Sequence, residues 1–133
     1  MSVSFLRPLL RDPRADHTLR NTRNGTILAK QLIPAFDSES RRTGLLKHEA
    51  LPDGSAMVIA PTNAVHTFFM RFAIDIAFVA RDGRVVKTCA AVKPWRMAAA
   101  WGAYGVIELP PGTLVRCDTV AGDTLVIGLP GQV

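Results

Sequence analysis

Six side chains stand where their type conflicts with the surrounding sequence or carries recognisable chemistry: His66, Arg71, Asp75, Trp95, Arg96 and Glu108. Asp75 interrupts the apolar run Ile74–Ala80 (IDIAFVA). Glu108 is the lone acid of Val106–Leu109 (VIEL), which ends at Pro110-Pro111-Gly112. A buried ionised carboxylate without a partner is expensive, so each acid must find a partner or do chemistry. Arg71 is the nearest basic residue to Asp75 in sequence, and by bending back it would pair there. If the two acid-bearing strands are neighbours, two acids and an arginine share one mouth of the sheet. That arrangement suits general acid–base work or the holding of a polar ligand. The structural reading carries more weight: lone acids at strand ends commonly satisfy backbone amides or a buried arginine.

His66 opens the aromatic-rich run HTFFM, read as a strand, and is expected to bond a backbone carbonyl rather than act as ligand or base. Phe68, Phe69, Met70 and Phe72 read as core. Trp95, just before Arg96, is either a stacking platform or a lid over the core. All six residues are therefore ligand-binding candidates, and none is assigned as catalytic. No cofactor and no metal are expected. His17, His48 and His66 lack the paired Cys/His spacing of a zinc site. The chain also has no G-x-S-x-G elbow, P-loop or G-x-G-x-x-G. Cys89 and Cys117 are far apart and read as buried thiols in a reducing compartment.

The elements that must position these residues are short. Thr26–Leu32 reads as a strand ended by Pro34. Asp37 or Ser38 caps the one main helix, which runs to about His48. Met57–Ala60 is a short apolar strand. Ile74–Ala80 and Arg84–Ala90 flank Asp82-Gly83, which predicts a two-residue type I′ hairpin because both central residues would take positive φ. Ile74–Ala80, apolar on both sides apart from Asp75, should be covered on both faces. Trp95 and Trp101 bracket a loop of small residues. Val106–Leu109 is a strand, Thr113–Cys117 one helical turn, and Leu125–Ile127 the closing strand. These elements predict an α+β fold whose small, mainly antiparallel sheet is strongly bent or barrel-like.

A chain of 133 residues with 48% apolar and 20% charged content is one packed globule. The net charge of +5 is unevenly spread. Residues 1–35 hold six basic side chains, Arg7, Arg11, Arg14, Arg20, Arg23 and Lys30, against Asp12 and Asp16, leaving +4 there. Residues 1–24 therefore read as a basic, solvated arm, of which folding can dispense with 1–20, and 25–133 as the single domain. Arginines without interleaved aromatics are a weak footprint for nucleic acid. No run approaches the length and apolarity of a membrane span or a signal sequence, so a soluble, cytoplasmic protein without a membrane partner is expected.

The runs HTFFM, IDIAFVARDGRVV, KPWR (Lys93–Arg96) and VIELPPG, followed by Ala121-Gly122-Asp123, resemble the family called domain of unknown function 192, in the family's order and over nearly the whole domain. Many members carry a proline after Met-Arg-Phe, where this chain has Ala73. The resemblance implies a small mixed barrel-like fold and no particular chemistry. Within it, Val106–Ile127 is similar to the Gly-Asp turn of cradle-loop and double-psi barrels, some of which bind DNA. There Gly122 would take positive φ and Asp123 would accept backbone amides, as a simple turn also would. The leading expectation is a non-catalytic binding module for a small polar or anionic ligand held by Arg71, Asp75, Trp95, Arg96 and Glu108. Two alternatives stand beside it. One is an enzyme using Asp75 and Glu108; the other is a nucleic-acid or protein-interaction module using the basic arm.

Overall fold

The computed structural model describes residues 4–43 and 50–131. Its strands are β1 (Thr18–Asn21), β2 (Ile27–Ala29), β3 (Gln31–Ala35), β4 (Ser55–Ile59), β5 (Ala64–His66), β6 (Ile74–Val79), β7 (Val85–Val92), β8 (Met97–Ala99), β9 (Gly105–Leu109) and β10 (Leu125–Gly128). Three short helices accompany them: α1 (Arg7–Arg11), α2 (Ser38–Thr43) and α3 (Thr113–Arg116). The result is an α+β fold dominated by sheet. Its described strands form a five-stranded sheet in the order β3-β4-β9-β6-β7, a three-stranded sheet β10-β1-β2 and a ribbon β5-β8. All pairings are antiparallel except β3–β4. Among the described residues no helix is long and apolar enough to cross a membrane.

The five-stranded sheet is buried on both faces because its central strands are apolar on both sides. Every residue of β6 and of β9 is buried. One face, with Val58, Ala77, Val79, Ile107 and Leu109, packs on Leu19, Leu28, Leu125 and Ile127 of the three-stranded sheet. The other, with Met57, Ile59, Ile74, Ile76, Phe78 and Val106, is covered by Leu51 and Met70 and by the inner side of the ribbon.

The N-terminal reading needs correction. Phe5, Leu6 and Leu9 are buried in the first core, and β1 is the middle strand of its sheet. Arg7, Arg11 and Arg14 are exposed on the outer side of that segment. Phe5, Leu6, Leu9 and β1 thus belong to the core, with Arg7, Arg11 and Arg14 on the solvated side. Burying a leucine contributes about 1.5–3 kcal/mol, which a solvated arm could not.

Three local readings also change. Thr26–Leu32 is two strands in different sheets, divided at Lys30, whose amide donates to Gly54 O. Pro34 lies within β3 because β3 is an edge strand, where a missing N–H is tolerated. The expected helix begins as foreseen, with Asp37 Oδ1 accepting the Ser40 amide at 2.7 Å. It is described to Thr43, six residues, so it does not stand out as the main helix; Gly44–His48 lie outside the described residues.

The β6–β7 hairpin is present, with a longer turn than expected. Gly83 N–H donates to Ala80 O and Ala80 N–H to Arg84 O, closing a three-residue loop. Gly83 has φ +94°, whereas Asp82 is not left-handed and instead accepts the Arg84 amide on Oδ1. This is the geometry of a turn followed by a glycine bulge. A side chain at Gly83 would also run into the carbonyl of Leu125.

Candidate functional site

The ribbon β5–β8 pairs Ala64 with Ala99, Val65 with Ala98 and His66 with Met97. Val65 and Ala98 pack onto the second core. Alternation along a strand then points His66, Met97, Ala64 and Ala99 to solvent. The chain after His66 makes a tight turn instead of continuing the strand.

Thr67 holds that turn against the segment 93–96. Its buried hydroxyl donates to Lys93 O at 2.7 Å and accepts the Arg96 amide at 2.9 Å. Its own N–H donates to Arg96 O, and its carbonyl accepts the Trp95 and Met70 amides. Around this hub Phe69 and Trp95 take φ +65° and +67°. Left-handed backbone at bulky residues costs about 1–3 kcal/mol each and persists only where the surroundings impose it.

The consequence is a set of rings held in water. His66 stacks on Phe68 at 4.9 Å and Phe68 on Trp95 at 5.8 Å, while Phe69 meets Trp95 edge-on at 4.7 Å. Phe69 is 68% exposed and Trp95 57%. Phe69 is therefore not core, although Met70 is buried and Phe68 and Phe72 are half-buried. The exposed Arg96 donates from Nη1 to Trp95 O at 3.4 Å, and Arg71 is exposed just beyond the turn. At the far end of the ribbon an open cleft of about 320 Å³ is lined by Asn63, Ala99, Ala100 and Trp101. Trp101 is 96% exposed. Lys87 donates from Nζ to Ala99 O at 2.9 Å, which places an ammonium at the cleft's border.

Of the six predicted residues, His66, Trp95 and Arg96 come together. The two acids do not join them, nor each other. Their strands are indeed neighbours, but β6–β9 register sets Asp75 opposite Leu109 and Glu108 opposite Ile76. Because side chains alternate, Asp75 faces the first core with Leu109 and Glu108 the second with Ile76. A shared acid–base mouth is thereby ruled out.

Asp75, wholly buried, accepts the Ala91 amide on Oδ1 at 2.8 Å and the Leu114 amide on Oδ2 at 2.9 Å. It ties the irregular end of β7, where Ala91 has φ +50°, to α3. Backbone amides, rather than the expected Arg71 guanidinium, satisfy its carboxylate. Glu108 is 3% exposed, among Met57, Ile76 and Val106, and no described group hydrogen-bonds its carboxyl. Burial pushes its pKa up to about 7.

The Gly122-Asp123 turn also proves structural. Gly122 has φ +99°, and Asp123 Oδ2 accepts the Val120 amide and the Asn21 side chain. Hydrogen bonds from Arg23 hold the Asp123 carboxyl well below the usual carboxylate range. Cys117 is buried and Cys89 half-buried. Among the described residues no cluster of His, Cys, Asp or Glu is arranged to hold a metal ion.

The reading of the sequence missed Thr67, Phe68, Phe69, Lys87, Met97 and Trp101 as site residues. A signal for Lys87 and Trp101 was available. Residues 83–107 carry Arg84, Lys87, Lys93 and Arg96 with no acid, interleaved with Trp95 and Trp101. A net charge for the whole body of the chain averages this away.

Two solved structures share the fold. A protein of unknown function from Novosphingobium aromaticivorans DSM 12444 superposes with TM-score 0.71 at 24% identity, over 83% of this chain and 82% of that one. A putative transcription regulator from Sinorhizobium meliloti 1021 superposes with TM-score 0.72 at 20% identity, over 84% of this chain and 92% of that one. No curated protein matches the chain. Residues 19–127 match the model of domain of unknown function 192, described as "Uncharacterized ACR", and with most of its length so covered the chain belongs to that family.

Proposed function

We propose that this protein is a non-catalytic binding module that holds a small anionic ligand with a flat face against His66, Phe68, Trp95 and Arg96. One observation carries the reading: Phe69 and Trp95 are kept exposed by a left-handed backbone that the buried Thr67 fastens. A segment needed only for core would relax that strain and turn its rings inward. The rings supply a stacking surface, and Arg96 supplies the charge for an anionic group.

An enzyme using Asp75 and Glu108 together has lost its support, since the two face opposite cores. A module acting through the N-terminal arm has lost it too, because Phe5, Leu6 and Leu9 are buried. The description of the Sinorhizobium meliloti neighbour belongs to that protein, and at 20% identity it adds nothing here. We read the five- and three-stranded sheets, which enclose one core, as a strongly bent, barrel-like wall, and we place the protein in the cytoplasm.

A thermal-shift screen of nucleotides, sugar phosphates and aromatic carboxylates tests the reading. A ligand at a hundredfold excess over its Kd adds about 2.7 kcal/mol of stability. The shift should vanish in Trp95→Ala and in Arg96→Gln while their unliganded melting temperatures stay near that of the parent. No shift from any of these compounds, or one that survives both substitutions, refutes it.

A further inference from the structure

Resting on that reading, we infer that the occupant of this surface is single-stranded nucleic acid, laid along the β5–β8 ribbon from the ring stack to the Trp101 cleft. The ribbon carries an aromatic subsite at each end: His66, Phe68 and Trp95 at one, Trp101 at the other. Three residue pairs separate them, about 10 Å of strand. A single small ligand fills one subsite, whereas a ligand with repeating flat groups fills both.

Each subsite has its own cation. Arg96 lies beside Trp95, and the Lys87 ammonium sits on Ala99 at the edge of the cleft with N–H donors left for a phosphate. The surrounding charge is one-sided. Residues 85–107, which include β8 and the segment bonded to Thr67, contain Lys87, Lys93 and Arg96, all exposed, and no acid. The occupant is therefore a polyanion with exposed π-faces. In a duplex the base faces are stacked away from protein rings, and acidic side chains carry none; unpaired nucleotides join a flat face to a phosphate in every unit.

Both tryptophans of the chain lie on this surface, so tryptophan fluorescence, excited selectively over Tyr104, reports on it alone. The full chain is titrated with a single-stranded oligonucleotide of about 12 nucleotides. Parallel titrations use the matching duplex, a mononucleotide and polyglutamate. The oligonucleotide should quench fluorescence and bind more tightly than the other three. Its affinity should fall with salt by a log–log slope of about −0.7 per phosphate contacted. Trp101→Ala, which removes a solvent-exposed ring, should weaken oligonucleotide binding about tenfold. Lys87→Gln should flatten the salt slope. Equal binding of duplex or polyglutamate, or indifference to Trp101→Ala, overturns the inference. Mononucleotide binding with no gain from the oligonucleotide overturns it while sparing the binding-module reading. Silence toward both nucleotide probes overturns the inference, and the binding-module reading then falls only if sugar phosphates and aromatic carboxylates give no thermal shift either.

Discussion

Glu108→Gln should stabilise the protein in alkali and leave it nearly unchanged in acid. The side chain sits on the central strand β9, 3% exposed, with burial as the cause of its raised pKa. In the folded state the pKa is about 7, against an ordinary 4.5. Between these values the native protein holds the proton more tightly than the unfolded chain does. Stability must therefore fall as pH rises through the window. Glu108's contribution is intact below about pH 4.5 and lost as pH passes through about 7. At 1.36 kcal/mol per pKa unit the full loss is about 3 kcal/mol. A glutamine side chain keeps the shape without the ionisation, so the gap between variant and parent should open by roughly 2–3 kcal/mol between about pH 5 and about pH 8.5. Urea denaturation at the two pH values reads this as a midpoint gap widening by roughly 1–2 M. Other titrating groups cancel in the comparison. Parent and variant curves that stay parallel across pH would refute the reasoning, because the carboxyl would then be solvated or paired.

Further outcomes follow from the same geometry. Asp75→Ala orphans the amides of Ala91 and Leu114, and at about 1.5–3 kcal/mol for each charge-assisted bond the loss should reach roughly 3–5 kcal/mol by urea denaturation. A cost below about 1 kcal/mol would mean that the amides find other acceptors. Gly83→Ala and Gly122→Ala both place a side chain at positive φ, costing about 1–2 kcal/mol. Only at Gly83 is the space occupied, so its melting temperature should drop clearly further than that of Gly122→Ala. Leu9→Ala should cost about 2–5 kcal/mol, as a wholly buried leucine does. A melting temperature unchanged by Leu9→Ala would restore the solvated arm.

Much of the fold was legible because short-range chemistry sets it. The β6–β7 hairpin, β9, α3 and β10 fall within two residues of their expected bounds, since apolar runs and Pro or Gly punctuation act over a few residues. The N-terminal segment was misread because its exposed arginines dominate the composition, while Phe5, Leu6 and Leu9 show their role only when packed. Half of the candidate site was legible for a similar reason. His66, Trp95 and Arg96 announce themselves by type, and the link that joins them, Thr67, is an ordinary threonine until its hydroxyl meets Lys93 and Arg96.

By itself, the sequence determined that Asp75 and Glu108 lie on apolar strands and must be accommodated there. It also determined where the hairpin reverses, and that residues 83–107 are basic without an acid. Only the tertiary structure decided which way those side chains point. Register between β6 and β9 is a relation between distant segments, and a shift of one residue exchanges the faces, so no local pattern can tell two acids in one mouth from two acids back to back. The same holds for the rings. Phe69 reads as core and Trp95 as either a platform or a lid, and both stand in water because hydrogen bonds from Thr67 to a segment nearly thirty residues away impose a backbone that turns them outward.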